Sequence, residues 1–180
     1  MTRAIPNINT ARLTLRAMRH EDFDRFAEIW AMPEVVRYLG GQPRSRRRAW
    51  EAFLRNAGHW QMTGFGQWAI VEQRSRKIIG QTGFFFGAQA VGEDFDPFPE
   101  ARWLLVPDAR RRGLAQEAVR AAHDWFDRVV PGPLVIQVAP DNETCLRLAS
   151  EIGYSEMRRA RVKGESVVLL RRNGPPPRAG

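Results

Sequence analysis

A chain of 180 residues with 43% hydrophobic side chains is long enough to bury a core of its own, and it contains no apolar run of membrane-spanning length. Residues 1–6 lack the apolar segment of a secretory signal, and Cys145 is the single cysteine of the sequence, so we exclude an internal disulfide and expect a cytoplasmic protein. The net charge of +8 favours anionic ligands, but no nucleic-acid-binding motif is present, and we expect no dedicated nucleic-acid site.

The first half of the sequence alternates between helical and strand-like patterns. In chain order we predict a strand at 12–16, helices at 21–32 and 33–38, a longer helix between residues 45 and 64, and strands at 66–72 and 77–86. Ser45 suits the start of the longer helix because its hydroxyl can accept a hydrogen bond from the first turn, and Gly64 favours its end. The face that we expect this helix to bury consists of Trp50, Phe53, Leu54, Ala57 and Trp60.

The second half contains the more distinctive patterns. We predict a strand at 101–106, a basic turn, an amphipathic helix with an apolar stripe between residues 115 and 129, a strand at 134–138, a helix after Asn142, and an antiparallel pair at 154–162 and 165–171. This order predicts an α/β protein built around one sheet. We assign residues 1–172 to a single domain and expect the proline-rich tail at 173–180 to be disordered.

The basic turn predicts an anion site. It reads Arg110-Arg111-Arg112-Gly113-Leu114-Ala115 and stands where the amphipathic helix begins. A helix start leaves backbone N–H groups unpaired at the positive end of the dipole, and glycine there lets a ligand approach the backbone. A phosphate or pyrophosphate fits such a site. A solvated basic loop is the alternative that this stretch alone leaves open.

Several motifs in the right order resemble those of the GNAT-family N-acetyltransferases. Residues 110–115 match the family's acetyl-CoA signature, [QR]-x-x-G-x-[GA]. Residues 140–154 match a P-x-N-x-x-S-x-R-x-x-x-x-x-G-[FY] segment, with Cys145 in place of the serine. Residues 10–16, 64–68 and 79–83 also fit, so the resemblance covers about residues 10–171. Within the family, the chain resembles the branch of the ribosomal-protein alanine acetyltransferases.

The resemblance implies the GNAT fold, a mixed and mostly antiparallel sheet flanked by helices and splayed between the family's fourth and fifth strands, here residues 101–106 and 134–138. It also implies acetyl-CoA as co-substrate. The pantetheine arm would pair with the backbone of Leu104, Leu105 and Val106. The pyrophosphate would lie on the N–H groups from Arg111 to Ala115. Asn142 matches a family residue near the pantetheine or thiol, and a helix cap is its alternative role.

Acetyl transfer to an amine needs a base, and the thiolate that leaves needs a proton. Glu100 stands at the start of the predicted strand, where many relatives have a glutamate that activates the amine, and its alternative is a solvated carboxylate. The family's tyrosine acid is replaced by Ala149 in our alignment. Cys145 could protonate the coenzyme A thiolate, because the pKa values of the two thiols would be similar, although a buried apolar filler is the more common role of a lone cysteine.

The acceptor is not determined by the sequence. A protein N-terminus or a small amine would fit. The loop before residue 100 is acidic, with Glu93, Asp94 and Asp96. This loop could attract a cationic amine, or it could be an ordinary exposed loop. Aromatic residues that could line an acceptor pocket or belong to the core are Trp60, Phe65, Trp68 and residues 84–86. The histidines show no metal-ligand spacing, so we expect no metal.

Two other functions remain open on the sequence alone. One is a GNAT-fold module that binds acyl-CoA without turnover, since the tyrosine and serine are replaced. The other is a basic ribosome- or RNA-associated protein, whose RNA binding would survive neutralisation of residues 110–112. The resemblance is compatible with a homodimer, because dimers are frequent in the family.

Overall fold

The structure is a computed structural model in which residues 4–175 are described. Its strands are β1 (Ile8–Asn9), β2 (Leu13–Arg16), β3 (Gln67–Glu72), β4 (Ile78–Phe85), β5 (Glu100–Leu105), β6 (Leu134–Val138), β7 (Ser155–Val162) and β8 (Glu165–Arg172). Its α-helices are α1 (Phe23–Ala31), α2 (Pro33–Val36), α3 (Arg46–Thr63), α4 (Leu114–Val129) and α5 (Glu143–Glu151). Short 3-10 turns lie at His20–Asp22 and Pro107–Ala109.

The eight strands form one mixed sheet in the order β1-β2-β3-β4-β5-β6-β8-β7. β1, β2, β3 and β4 pair antiparallel in sequence order, and β8 pairs antiparallel with both β6 and β7. β5 and β6 pair in parallel, in the register Glu100↔Val135 at the first residue of β5. The predicted α/β class and the mixed, mostly antiparallel sheet are therefore confirmed.

Contacts divide the chain into two compact units, and the division falls inside β5. The first unit comprises the chain up to Phe84 together with Arg102–Ala122. The second comprises Phe85–Ala101 and the chain from His123 onward. The assignment of residues 1–172 to a single domain stays a prediction, and so does the disorder of the 173–180 tail, of which residues 176–180 lie outside the described residues.

In the first unit, caps and apolar spacing explain the helices. The N–H of Arg48 donates to Ser45 Oγ at 3.3 Å, so Ser45 caps α3 as predicted. Gly64 ends the helix with φ +81°, a conformation that favours glycine. The buried residues of α3 are Ala49, Ala52, Phe53 and Trp60. The predicted face is wrong in part, because Leu54 is 51% exposed and Ala57 is also exposed.

The second unit contains a small apolar cluster and a buried polar network. The cluster consists of Phe95, Val135, Val167 and Leu169. His123 Nε2 and the Tyr154 hydroxyl are joined by a 2.9 Å hydrogen bond, and burial raises the pKa of Tyr154, which keeps its phenol neutral. Arg172 lies 2.7 and 2.8 Å from the two carboxylate oxygens of Asp127 and also donates to the carbonyl of Ile152.

Replacing Asp127 with Asn is expected to lower the free energy of unfolding by about 2 kcal/mol. The Arg172 side chain is 2% exposed, so loss of its charged partner leaves a cation with little access to water. Urea denaturation of both proteins gives the difference. Asp124→Asn, at an exposed position of the same helix, is the control, and equal destabilisation by both changes would contradict the prediction.

Candidate active site

The three arginines of the basic turn have different roles. Arg110 Nε donates to the Leu105 carbonyl at 3.2 Å, and Arg110 Nη2 donates to the Glu34 carbonyl at 2.9 Å. Arg112 Nη2 lies 2.6 Å from a carboxylate oxygen of Glu72. Arg111 is exposed and makes no hydrogen bond or ion pair with any residue between 4 and 175. Two of these arginines therefore hold the turn in place, and Arg111 is available to a ligand.

The backbone of the turn presents unpaired donors. Arg111 has φ +60° and Gly113 has φ +73°, and α4 begins at Leu114. The N–H of Glu117 bonds to the Gly113 carbonyl at 3.1 Å, so the N–H groups of Leu114 and Ala115 precede the first helical hydrogen bond. These donors point along the axis at the positive end of the helix dipole, which is the arrangement that binds phosphates.

Arg12 is a cation of this turn that sequence reasoning missed. Its Nη1 donates to the Arg112 carbonyl at 2.8 Å, and a Cβ added to Gly113 would lie 3.4 Å from its Nη2. Glu117 fixes it there, accepting from Arg12 Nε at 2.7 Å and from the Arg12 N–H at 2.8 Å. No linear pattern joins these residues, because Arg12 and Glu117 are 105 positions apart.

Replacing Glu117 with Gln is expected to lower stability at neutral pH by about 1 kcal/mol and to flatten its decline in acid. Burial alone would raise the pKa of Glu117, but hydrogen bonds from Thr10 and Arg12 hold it below its ordinary 4.5. A lowered pKa contributes stability above pH 4.5 that is lost as the pH falls through the folded value. Thermal unfolding at a series of pH values tests this, and parallel curves for both proteins would contradict it.

The end of β5 offers fewer free backbone groups than the resemblance implied. The N–H of Val106 donates to the Ile79 carbonyl at 2.8 Å, and the Val106 carbonyl accepts from Ala109. A Cβ added to Gly80 would lie 2.0 Å from the Leu104 carbonyl oxygen, so that carbonyl also faces β4. Backbone groups of neighbouring strand residues point to opposite edges, which leaves Leu105 facing away from β4. Val106 and Leu104 therefore face β4, and the expected pairing of the pantetheine arm stays a prediction for Leu105.

Glu100 is a buried carboxylate rather than a solvated one. It is 2% exposed at the first position of β5, and Gln137 Nε2 donates to its Oε1 at 3.0 Å. A Cβ added to Gly87 would lie 3.1 Å from Glu100 Oε2. The alternative of a solvated side chain is wrong, and its role as a base stays a prediction.

Asn142 and Cys145 lie together at the start of α5. Asn142 Oδ1 accepts from the N–H of Cys145 at 3.2 Å, so Asn142 caps this helix. Burial raises the pKa of the Cys145 thiol to about 12. A raised pKa argues against the expected match with the leaving thiol, because an ordinary thiol titrates at about 8.5. Cys145 is only partly buried by accessible surface, and its role stays a prediction.

Two carboxylates of the acidic loop before β5 are engaged by residues of the same unit. Both carboxylate oxygens of Asp94 lie 2.8 Å from guanidinium nitrogens of Arg158. Asp96 accepts hydrogen bonds from the N–H groups of Val91 and Gly92. Asp94 and Asp96 are therefore less available to attract a cationic acceptor than the sequence suggested.

The aromatic residues named as pocket candidates are largely core. Trp60, Phe65, Trp68 and Phe84 are each at most 4% exposed, and Phe86 is 41% exposed. The described residues contain no cluster of three or more potential metal ligands. None of their helices is both long and apolar enough to cross a membrane.

Comparison with known proteins identifies the family. A family model described as an acetyltransferase (GNAT) domain matches residues 12–155. The chain belongs to this family. GNAT enzymes use acetyl-CoA as co-substrate, and the chain is accordingly an acetyl-CoA-dependent acyltransferase. The helix start at Leu114 fits that co-substrate, because its unpaired N–H groups and the exposed Arg111 suit a pyrophosphate.

Solved structures of acetyltransferases share the fold. A GNAT-family acetyltransferase from Bordetella pertussis is 27% identical, with a TM-score of 0.86 over 93% of this chain and 99% of that one. An acetyltransferase from Agrobacterium tumefaciens str. C58 is 29% identical, with a TM-score of 0.79 over 95% and 96%. Spermidine N-acetyltransferase from Vibrio cholerae, solved with CoA and spermine, is 16% identical, with a TM-score of 0.71 over 90% and 95%. These matches support the GNAT fold.

Proposed function

We propose that this protein transfers the acetyl group of acetyl-CoA directly to a primary amine, on a protein N-terminus or a small molecule. The start of α4 carries the proposal, since unpaired N–H groups, a glycine at φ +73° and the unpaired Arg111 converge there. The motifs at 10–16 and 140–154 favour the branch of the ribosomal-protein alanine acetyltransferases.

Acetyl-CoA is held mainly by residues of the first unit in this proposal. The N–H groups from Arg111 to Ala115 receive the pyrophosphate, with added positive charge from Arg111 and Arg12. Arg110 and Arg112 support the turn through their bonds to Leu105 and Glu72. Leu105 offers its backbone N–H to the pantetheine arm, while its carbonyl already accepts from Arg110.

Glu100 is the proposed base. Its carboxylate accepts a proton from the acceptor ammonium, directly or through one water, and frees the lone pair that attacks the thioester carbon. The new C–N bond forms, the C–S bond breaks, the nitrogen releases its second proton to solvent as the amide forms, and the coenzyme A thiolate takes a proton from solvent. Gln137 orients the carboxylate through the hydrogen bond that its Nε2 donates to Oε1 at 3.0 Å.

Cys145 is not assigned a proton-donating role. A thiol with a pKa of about 12 holds its proton too firmly to give it to an ordinary thiolate. The same pKa leaves almost no thiolate at neutral pH, which argues against a covalent acetyl-cysteine. Asn142 caps α5. We propose that its side chain also contacts the pantetheine arm.

The test couples binding to turnover. The protein is titrated with acetyl-CoA by calorimetry and then incubated with acetyl-CoA and a panel of primary amines, while thiol release and acetylated product are measured. Binding with product from at least one amine is expected. Binding without thiol release from any amine would favour an acyl-CoA-binding module instead.

A further inference from the structure

Arg44 lies in an unusual position for a guanidinium. Its N–H donates to the Trp30 carbonyl at 2.9 Å, and its Cζ stands 3.5 Å from the centroid of the Trp30 ring. The side chain is partly buried rather than extended into solvent. Stacking on tryptophan fixes the plane of the guanidinium and leaves its N–H edges available to a ligand.

Other arginines surround Arg44. Arg48 and Arg55 are seven residues apart on α3, about two turns, so they lie on one face of that helix. Arg102 approaches from β5. Burial first, and then the positive charges of Arg102, Arg55 and Arg48, lower the pKa of Arg44 to about 10. The first unit therefore gathers like charges at a site where one of them is poorly hydrated.

No carboxylate of the described residues neutralises three of these side chains. Neither Arg44, Arg48 nor Arg55 forms an ion pair in the part of the chain that the structure describes. Two neighbours in the same stretch behave in the ordinary way, since Arg46 lies 2.5 Å from Asp24 and Arg47 lies 3.1 Å from Glu51. Local sequence composition therefore does not explain why the other three lack acidic partners.

The start of α3 adds to this excess of positive charge. The first turn of α3 consists of Arg46, Arg47 and Arg48 and contains no acidic residue. A helix N-terminus carries partial positive charge and is ordinarily stabilised by carboxylates or bound anions. Arg46 and Arg47 have carboxylate partners, so Arg48 is the cation of this turn that adds to the positive charge beside Arg44.

The cluster and the proposed acetyl-CoA site share one strand of the first unit, because Arg102 and Leu105 both belong to β5. Trp30 belongs to α1, and α2 follows it after Met32. Arg110 joins α2 to the end of β5, because its side chain donates both to the Glu34 carbonyl and to the Leu105 carbonyl. The loop that carries Arg44 is therefore bonded to α1, and the helix that follows α1 is bonded through Arg110 to the end of β5.

We propose that Arg44, Arg48 and Arg55, with added positive charge from Arg102, bind a carboxylate or phosphate group of the acceptor, so that preferred amine acceptors carry a negative charge. This inference rests on the proposed acetyl transfer to an amine and narrows the substrate class. Guanidinium groups bind carboxylate and phosphate oxygens through paired hydrogen bonds, which gives orientation as well as affinity.

Paired acceptors that differ in one charged group test the inference. The probes are O-phosphoethanolamine against ethanolamine, and L-phenylalanine against L-phenylalaninamide. We expect the anionic member of at least one pair to have a kcat/KM about tenfold higher or more. Arg48→Gln and Arg55→Gln are expected to remove most of this preference, while the kcat/KM of the neutral member and the Kd for acetyl-CoA stay unchanged.

Arg47→Gln is the matched control, because Arg47 lies in the same helical turn as Arg48, is exposed, and pairs with Glu51. Arg44→Gln also removes the stack on Trp30, so the exposed Arg48 and Arg55 provide the decisive variants.

Equal kcat/KM values within both pairs of acceptors would overturn the inference, as would a similar loss of the preference in Arg47→Gln. A loss of acetyl-CoA affinity in Arg48→Gln and Arg55→Gln would assign the cluster to coenzyme A. Failure of the unaltered protein to bind acetyl-CoA would overturn the proposed function itself, and the acceptor inference with it.

Discussion

Replacing Gly113 with Asp is expected to weaken acetyl-CoA binding by about a hundredfold or more. Gly113 has φ +73°, a conformation that costs a side chain about 1 to 2 kcal/mol. The new carboxylate would also stand at the helix start proposed to receive the pyrophosphate, and repel it. Calorimetric titration of both proteins with acetyl-CoA measures the change.

Two controls separate the charge from the backbone. In Gly113→Asn the new side chain has nearly the size of aspartate but no charge. Asparagine also tolerates positive φ better than most residues. The acetyl-CoA affinity of this variant should therefore fall much less. Gly164→Asp adds a carboxylate at φ +86° in the turn between β7 and β8, where nothing lies within 4 Å, and should bind acetyl-CoA normally.

Each outcome has a distinct meaning. Loss of binding in Gly113→Asp alone places negative charge of the ligand at the start of α4. Equal losses in Gly113→Asp and Gly113→Asn would show that backbone geometry, rather than charge, limits the site. Tight binding by Gly113→Asp would contradict the proposed position of the pyrophosphate.

Local signals predicted the elements of this fold well. Ser45 and Gly64 marked the ends of α3 because capping depends on the residue itself and its immediate neighbours. The strand at 134–138 was confirmed with its bounds as β6. A short apolar run between turn residues is sufficient to predict such a strand.

Features that depend on pairing or packing with other residues were not predicted. β1 comprises Ile8–Asn9, and its register with Leu15 and Thr14 depends on the strand that follows it. The indole N–H of Trp68 donates to the Pro6 carbonyl at 2.9 Å and holds this segment from another part of the chain. Leu54 was assigned to the core by helical spacing, which identifies a stripe but not its width.

The candidate site shows the same limit. The basic turn and the start of α4 were readable from residues 110–115, because they form one continuous stretch. The role of Arg12 could not be predicted, because its partners lie far away in the sequence. The lack of an ion pair at Arg44 could not be predicted either, because it depends on which side chains the fold places nearby. The high pKa of Cys145 likewise arises from tertiary burial, which composition cannot reveal.

Replacing Glu100 with Gln is expected to lower kcat by about a hundredfold or more while leaving the Kd for acetyl-CoA within about twofold. Glutamine keeps an oxygen that can accept from Gln137 but cannot take a proton from the acceptor. Steady-state kinetics with the best acceptor of the amine panel gives kcat, and calorimetry gives the Kd.

The burial of Glu100 makes a second readout necessary, because a carboxylate that is 2% exposed could also be structural. Urea unfolding of Glu100→Gln should stay within about 1 kcal/mol of the unaltered protein, since the bond to Gln137 is preserved. Glu93→Gln, at an exposed position of the loop before β5, removes the same charge and should retain full kcat. A Glu100→Gln protein with unchanged kcat would remove Glu100 from the mechanism. If kcat falls only in step with the fraction of folded protein, Glu100 is structural; if it falls while stability is kept, the carboxylate acts on the acceptor.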